Sequence, residues 1–125
     1  MVAVIVWGQR EKEVGAKMLT PWGASDFSKQ LVPGVYSVST PSHGGYMVGA
    51  KVAETFLSQA ARLFVGERWG SWYAFEEDCA WTVIGLEHPE LFSEEDKQRN
   101  RFYFYEGGQR TVLERYYPQY IRQAS

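Results

Sequence analysis

The chain has 125 residues, of which 45% are hydrophobic and 22% charged, and its formal net charge is −2. This length fits one domain that buries about two-thirds of its unfolded surface, and the composition is that of an ordinary globular protein. The single cysteine, Cys79, excludes an intramolecular disulfide, so we expect a cytoplasmic protein rather than a secreted disulfide scaffold. The apolar run at residues 1–7 is far below the ~20 residues of a membrane span, so no membrane association is predicted.

Short or alternating apolar runs in the first half of the chain predict strands. Residues 20–23 are a predicted turn, because proline fixes φ and glycine permits positive φ. Ser25 is expected to cap one or two helical turns reaching Leu31, before the Pro33-Gly34 pair. The strands are predicted at residues 2–7, 12–19, 35–40 and 46–48, with a loop over residues 41–45.

The second half of the chain carries the helical signals. Helical spacing of apolar residues predicts a continuous helix over residues 51–64. Residues 79–86 are almost wholly apolar, and we predict a central strand there. Ser93 followed by three acids predicts a capping box that opens another helix. A last helix is predicted over residues 109–117, after a pair of glycines.

These elements predict an α+β fold, in which a small, mostly antiparallel sheet packs against two or three helices. Residues 1–125 form one predicted domain, which ends in a basic, aromatic helical segment over residues 93–125. The predicted core residues lie on apolar faces or in an apolar run, and they are Trp22, Val38, Phe56, Leu57, Trp81, Val83 and Ile84.

The common catalytic and cofactor motifs are absent from the sequence. It has no P-loop, dinucleotide fingerprint, His-Glu-x-x-His, Cys-x-x-Cys or Gly-x-Ser-x-Gly, so no cofactor is predicted. The two histidines, His43 and His88, lie far apart and show no metal-ligand spacing. A zinc site would need both histidines, Cys79 and a carboxylate to be brought together by the fold, and no metal site is predicted.

The first unusual cluster is Ser-Thr-Pro-Ser-His-Gly-Gly at residues 39–45. Glycine amides, hydroxyls and an imidazole together can bind an anion or hold a base. The alternative is a tight connection between strands, with the hydroxyls satisfying the turn. The candidate binding residues of this cluster are Ser42, His43, Gly44 and Gly45.

The second cluster places three acids, Glu76, Glu77 and Asp78, directly before Cys79. Negative neighbours disfavour a thiolate, so we expect Cys79 not to be a nucleophile. We expect the histidine loop to lie near the acids, where a carboxylate can pair with the imidazole. If the protein is an enzyme, its candidate catalytic residues are His43, Glu76, Glu77, Asp78 and Cys79.

The third cluster is the stretch Lys97–Arg122, in which arginines and lysines alternate with phenylalanines and tyrosines. Such a stretch can stack bases and contact phosphates, so nucleic acid is a possible partner. The alternative is that the aromatic rings are core and the basic groups balance an acidic body.

Four stretches, taken in order, resemble an uncharacterised domain family found in bacterial genomes, plasmids and phages. They read TPWG at residues 20–23, STPSHGG at 39–45, WY…EEDCAW at 72–81 and PELF at 89–92. The resemblance covers about residues 20–92, and this chain inserts two residues between Trp-Tyr and the acids. The family has no established activity, and the resemblance implies a phage or mobile-element context.

Two functions of different classes follow, and we favour the first. It is a small phage or mobile-element accessory protein that binds and inhibits a host macromolecule, such as a defence effector, and a host protein is the expected partner. The second is a small-ligand binder or enzyme that uses the His43 loop with the acids and Cys79. In the first case aromatic anchors and charge complementarity would carry binding, and the expected binding residues outside the histidine loop are Trp22, Trp72, Tyr73, Glu94, Glu95 and Asp96.

Overall fold

The structure is a computed structural model that describes residues 17–124. The expected strand at residues 2–7, and all but the end of the one at 12–19, lie outside the described residues. The strands are β1 (Leu19–Thr20), β2 (Gly23–Ala24), β3 (Phe27–Val32), β4 (Val35–Ser39), β5 (Gly44–Gly49), β6 (Glu67–Trp69) and β7 (Trp72–Glu76). The helices are α1 (Ala50–Phe56), α2 (Gln59–Phe64), α3 (Trp81–Glu87), α4 (Glu94–Arg99), α5 (Arg101–Tyr105), α6 (Gly108–Tyr116) and α7 (Pro118–Ala124), with a 3₁₀ turn at Pro89–Leu91.

A five-stranded sheet in the order β3-β4-β5-β7-β6 is the centre of the fold, and its described pairings are all antiparallel. The predicted α+β class is confirmed. Within residues 17–124 the helices number seven, because they are shorter and more often interrupted than the two or three expected. In the described part of the chain, each helix falls short of the length and apolarity that a bilayer crossing requires.

The sheet is covered on both faces. On one face Val35, Val48 and Phe75 are fully buried beneath the helices. On the other face Tyr36 and Met47 pack in a second apolar cluster, against which the N-terminal hairpin places its tryptophan. The predicted half-buried strand at residues 35–40 therefore exists, but both of its faces carry buried side chains.

The expected helical turns after Ser25 are wrong, because β3 occupies that part of the chain. The Ser25 hydroxyl accepts a hydrogen bond from the Met18 amide at 2.7 Å, and the Ser25 amide donates to the Met18 carbonyl at 2.8 Å. These bonds tie Ser25 to the hairpin instead of to a helix. The strand then pairs with β4 across the turn at Gly34, whose φ is +82°.

The expected central strand at residues 79–86 is also wrong, because α3 occupies most of it. A short apolar run fits a buried helix as well as a buried strand. The Thr82 hydroxyl donates to the Cys79 carbonyl at 2.6 Å as the chain enters the helix. Val83 and Ile84 are nevertheless fully buried, as predicted.

The continuous helix expected over residues 51–64 is broken at Leu57 and Ser58, which separate α1 from α2. Ser58 caps the second helix, accepting a hydrogen bond from the Ala61 amide at 3.0 Å. The Glu87 carboxylate accepts from the Ser58 amide at 2.9 Å and from the Tyr120 hydroxyl at 2.8 Å. The break is thus stabilised by residues far away in the sequence.

Other local expectations are confirmed. The turn at residues 20–23 joins β1 to β2, with the Thr20 hydroxyl donating to the Gly23 carbonyl at 2.7 Å. The capping box at Ser93 is present, with Asp96 as its acid. Gly44 and Gly45, expected in the loop, instead begin β5. Of the predicted core residues Val38, Leu57, Val83 and Ile84 are buried, and Trp22, Phe56 and Trp81 are half-buried.

Candidate binding groove

An open groove of about 610 Å³ lies where α3, α4 and α5 approach one end of the sheet. Its floor is polar, because the strands place Lys29 opposite Ser37 and Ser37 opposite Tyr46. Directly paired residues share one face of a sheet, so these side chains form a continuous row. Serine is small, and the helices do not cover the floor at this end, which leaves room for a ligand.

Aromatic rings form the opposite wall of the groove. Trp81 begins α3, Phe92 follows the 3₁₀ turn, and Tyr103 and Phe104 lie on α5. The ring centroids of Trp81 and Tyr103 are 5.0 Å apart, as are those of Phe92 and Phe104. All four rings are half-buried, so each packs against its neighbours and still presents surface to the groove.

Two carboxylates line the groove, and their surroundings differ. Asp96 is engaged within the protein: it closes the capping box with Ser93 and accepts from the Arg99 guanidinium at 2.6 Å. The hydrogen bond to Ser93 and the charges of Arg99 and Lys29 lower its pKa. Glu77 pairs with His43 at 3.8 Å, and half of each side chain is exposed. Glu77 therefore brings the less neutralised negative charge.

Tyr46 brings a neutral hydroxyl to the floor. Burial, followed by the negative charge of Asp96, raises the pKa of the Tyr46 phenol to about 12. At neutral pH this phenol can both donate and accept a hydrogen bond. Its ring packs edge-on against Phe92 at 6.0 Å, which fixes its place beside the aromatic wall.

Replacing Tyr46 with phenylalanine is expected to reduce the loss of stability at alkaline pH. The folded protein favours the neutral phenol, so this stabilisation is fully present below the unfolded pKa of 10.0 and is lost as the pH rises towards 12. Urea unfolding at about pH 9 and about pH 11.5 measures the loss. Tyr116→Phe, at an exposed tyrosine, is the control. Equal alkaline losses in the wild type and in Tyr46→Phe would contradict the expectation.

The acidic run divides into different roles. The Glu76 carboxylate accepts hydrogen bonds from the amides of Asp78, Cys79 and Ala80 at 2.6, 2.9 and 2.7 Å, so it caps the turn that leads into α3. Glu77 faces the groove, and Asp78 is exposed outside it. Burial, then the charges of Glu76 and Asp78, raises the pKa of the Cys79 thiol, which disfavours the reactive thiolate.

The histidine loop lies next to the acidic run, as the sequence predicts. The Thr40 hydroxyl donates to the His43 carbonyl at 2.7 Å and accepts from the His43 amide at 3.0 Å, which closes a tight turn. The Glu77 amide donates to the Gly44 carbonyl at 3.0 Å, joining the two segments. Ser42 is exposed in the turn, and it does not line the groove.

Other predicted binding residues lie elsewhere. Trp22 covers Gly45 on the far side of the sheet, and Trp72 packs edge-on against Tyr36 at 5.9 Å. Tyr73 lies beneath the Arg68 guanidinium at 5.2 Å. On α4, Glu94 accepts from the Tyr105 hydroxyl at 2.6 Å, and Glu95 pairs with Arg99 at 3.3 Å. From the predicted sites, the groove is lined by Gly44, Gly45, Glu77 and Asp96.

Sequence reasoning missed Lys29, Ser37 and Tyr46 on the floor, because strand register alone places them together. It also assigned Trp81 to the core, and it considered the rings of α5 for stacking on bases or for the core and not for the wall of a groove. The signal for the wall was present, since 16% of the chain is aromatic and α5 carries four aromatic residues in five positions.

The histidines and Cys79 do not form a metal site. Within residues 17–124, no three histidine, cysteine, aspartate or glutamate side chains come close enough to hold a metal ion. His88 instead stacks on Phe56, with ring centroids 3.8 Å apart, and its Nδ1 lies 2.6 Å from the Glu90 carboxylate. This histidine therefore joins the ends of α1 and α3.

Comparison with known proteins finds a family whose sequence model matches most of the chain. The sequence model of a domain of unknown function, DUF7007, matches residues 15–124, which include every residue of the groove. Neither a curated protein nor a solved structure matches the chain. The chain therefore belongs to the DUF7007 family, a family of unknown function.

Proposed function

We propose that this chain is a binding module that holds part of a partner protein in the groove and inhibits that partner. The observation that carries the proposal is the groove itself, an open cavity of about 610 Å³ with an aromatic wall and a polar floor. Its wall comes from three separate parts of the chain, so the rings are held by the fold. Aromatic residues surrounded by polar groups are common at protein–protein interfaces, where they contribute much of the binding energy.

The candidate catalytic residues support binding better than catalysis. Glu76 is occupied by backbone amides, and the Cys79 thiol has a raised pKa. His43 and Glu77 remain, at 3.8 Å, with half of each side chain exposed. Both side chains are open to solvent, whereas acid–base catalysis is favoured in a site that excludes water, so this pair gives an enzyme little support.

The biological context is part of the same proposal. The resemblance of four stretches within residues 20–92 to a family of bacterial genomes, plasmids and phages supports an origin in a phage or mobile element. A single cysteine supports a reducing compartment, such as the cytoplasm of a bacterial host. A defence effector of that host is the kind of partner that a small accessory protein would inhibit.

The acids of α4 were expected to bind the partner, and we now propose that Glu77 and Asp78 make this contact instead. Arg99 pairs with both Glu95 and Asp96, and Glu94 holds the Tyr105 hydroxyl, so these charges are partly used inside the protein. Glu77 and Asp78 are exposed, and they present their charges to a partner more freely.

Nucleic acid has less support as the partner. Within Lys97–Arg122, Arg110 pairs with Glu114 at 3.3 Å, and Arg101 and Arg115 lie over tyrosine rings at 5.3 and 5.5 Å. Arginines that are paired or stacked within the chain are less available to phosphates.

The test is capture of the partner by the full chain and by two variants of equal bulk. Ser37→Trp fills the groove floor, whereas Thr55→Trp adds the same ring on the exposed side of α1. A partner captured from bacterial lysate and then purified should bind the groove variant at least about tenfold more weakly than the wild type, and the control as tightly. Lys29→Trp, at an exposed groove position, replaces Ser37→Trp if that variant does not fold. Equal affinity for all variants would overturn the proposal.

A further inference from the structure

We infer that the groove receives an arginine side chain of the partner protein, which pairs with Glu77 and lies against the wall formed by Trp81 and Tyr103. This inference rests on the proposed function and adds the chemistry of the occupant. Glu77 and the two rings all line the same cavity, whose volume leaves ample room for a single side chain.

The first step is that the Glu77 carboxylate is held in place and left open to a cation. Its backbone amide donates to the Gly44 carbonyl at 3.0 Å, which fixes the residue where β7 ends. A Cβ atom at Gly44 would lie 3.1 Å from Glu77 Oε1, so the carboxylate lies close against β5. The contact with His43 is long and half-exposed, and such pairs hold weakly. A guanidinium can therefore replace the imidazole.

The second step is that aromatic surface lines the same groove as this carboxylate. Trp81 follows Glu77 by four residues, and its ring meets that of Tyr103 at 5.0 Å and an angle of 70°. Both rings are half-buried and line the groove. A guanidinium stacks on aromatic faces and donates two parallel hydrogen bonds to a carboxylate, which a lysine ammonium does not.

The third step is that the same site disfavours an anion. Two carboxylates, Glu77 and Asp96, line the groove, against one lysine, Lys29. The charge of Lys29 already acts on Asp96, whose pKa it helps to lower. Among the groove residues within positions 17–124, the partly neutralised lysine alone would attract a phosphate group, which both carboxylates would repel. The charge of the groove therefore complements a basic partner.

The test uses two peptides that differ only in whether the side chain ends in a charged guanidinium or a neutral ureido group. Acetyl-Gly-Arg-Gly-amide carries the guanidinium, and acetyl-Gly-citrulline-Gly-amide is its neutral counterpart. NMR titration of the full chain follows the indole N–H signals of the five tryptophans, of which Trp81→Phe identifies one. The arginine peptide should shift the Trp81 signal with an affinity on the order of millimolar, and citrulline should bind at least about fivefold more weakly.

Three variants, all at exposed positions, separate the charges. Glu77→Gln should weaken arginine binding about fivefold, whereas Asp78→Asn, which removes the same charge outside the groove, should change it by less than about twofold. Lys29→Gln removes the competing cation and should strengthen binding about twofold. If the charge of the groove determines affinity for arginine, removing the negative charge at position 77 and the positive charge at position 29 should change that affinity in opposite directions.

Several outcomes would overturn the inference. They are equal binding of citrulline, no effect of Glu77→Gln, or a shift of the Trp81 signal by inorganic phosphate or a thymidine oligonucleotide in place of the arginine peptide. The proposed function is judged separately. If Ser37→Trp weakens binding of the captured partner, the proposed function is supported even when the arginine peptide does not bind. Conversely, arginine binding without a groove-dependent partner would remove the protein-binding function and leave the cation site.

Discussion

Replacing Gly45 with alanine is expected to destabilise the protein by about 1–3 kcal/mol. A Cβ atom at this position would collide with the Phe75 carbonyl oxygen and would lie 2.6 Å from Cη2 of the Trp22 ring. The carbonyl belongs to β7, which is hydrogen-bonded to β5, so the backbone has little freedom to retreat. The tryptophan would have to tilt away from the sheet and expose part of the second apolar cluster.

Gly49→Ala is the matched control, because it lies at the other end of the same strand. A Cβ atom there meets nothing closer than the Gly34 carbonyl, at 3.8 Å. Alanine at a compatible glycine position is neutral or stabilises by about 0.4–1 kcal/mol, since it restricts the unfolded chain. Urea unfolding of both variants measures the difference. Equal free energies of unfolding for the two variants would show that the packing of Trp22 does not require glycine at position 45.

The two glycines of the histidine loop connect three of the family-like stretches. Gly45 lies beneath Trp22 of the TPWG turn, and Gly44 lies against Glu77 of the acidic run. The approach of Trp22 requires the absence of a side chain at Gly45. A Cβ atom at Gly44, in contrast, would lie 3.0 Å from the Val38 carbonyl oxygen and 3.1 Å from the flexible Glu77 side chain. These stretches therefore meet in one part of the fold, with a packing contact on one face of the sheet and the groove on the other.

Sequence reasoning succeeded where local physical chemistry decides the structure. The capping box at Ser93, the turn at residues 20–23 and strand β4 depend on residues within a few positions of one another. It failed where distant residues decide. The break at Ser58 needs Glu87 and Tyr120, and the helix α3 needs the surrounding core to select it over a strand.

The candidate site shows the same division. The closeness of His43 to Glu77 follows from a polar loop and an acidic run that both need partners, and it was predicted. The floor of the groove depends on register, which places Lys29, Ser37 and Tyr46 side by side across three strands. No local pattern marks these residues, because each is an ordinary member of its own strand.

Glu76→Ala is expected to cost about 2–4 kcal/mol of folding free energy, whereas Glu77→Ala should change it by less than about 0.5 kcal/mol. The Glu76 carboxylate satisfies the amides of Asp78, Cys79 and Ala80, and bonds to a charged acceptor are stronger than neutral ones. Without it, these three donors at the entrance to α3 depend on water, and the helix that carries Trp81 loses its start. Because Glu76 is only half-buried, water replaces part of the loss, and the estimate stays below the sum of three such bonds.

Glu76→Gln tests whether the charge or only the acceptor matters. Glutamine keeps one carbonyl oxygen and loses the other acceptor and the charge, so its stability should fall between the wild type and Glu76→Ala. Urea unfolding at neutral pH ranks the stabilities of the variants. Titration with the arginine peptide then measures the affinity of the groove in those variants that fold. Glu77→Gln should fold normally and bind weakly, whereas Glu76→Gln should fold less stably and, where folded, bind as the wild type does. Equal stability of Glu76→Ala and Glu77→Ala would show that the Glu76 cap does not stabilise the entrance to α3.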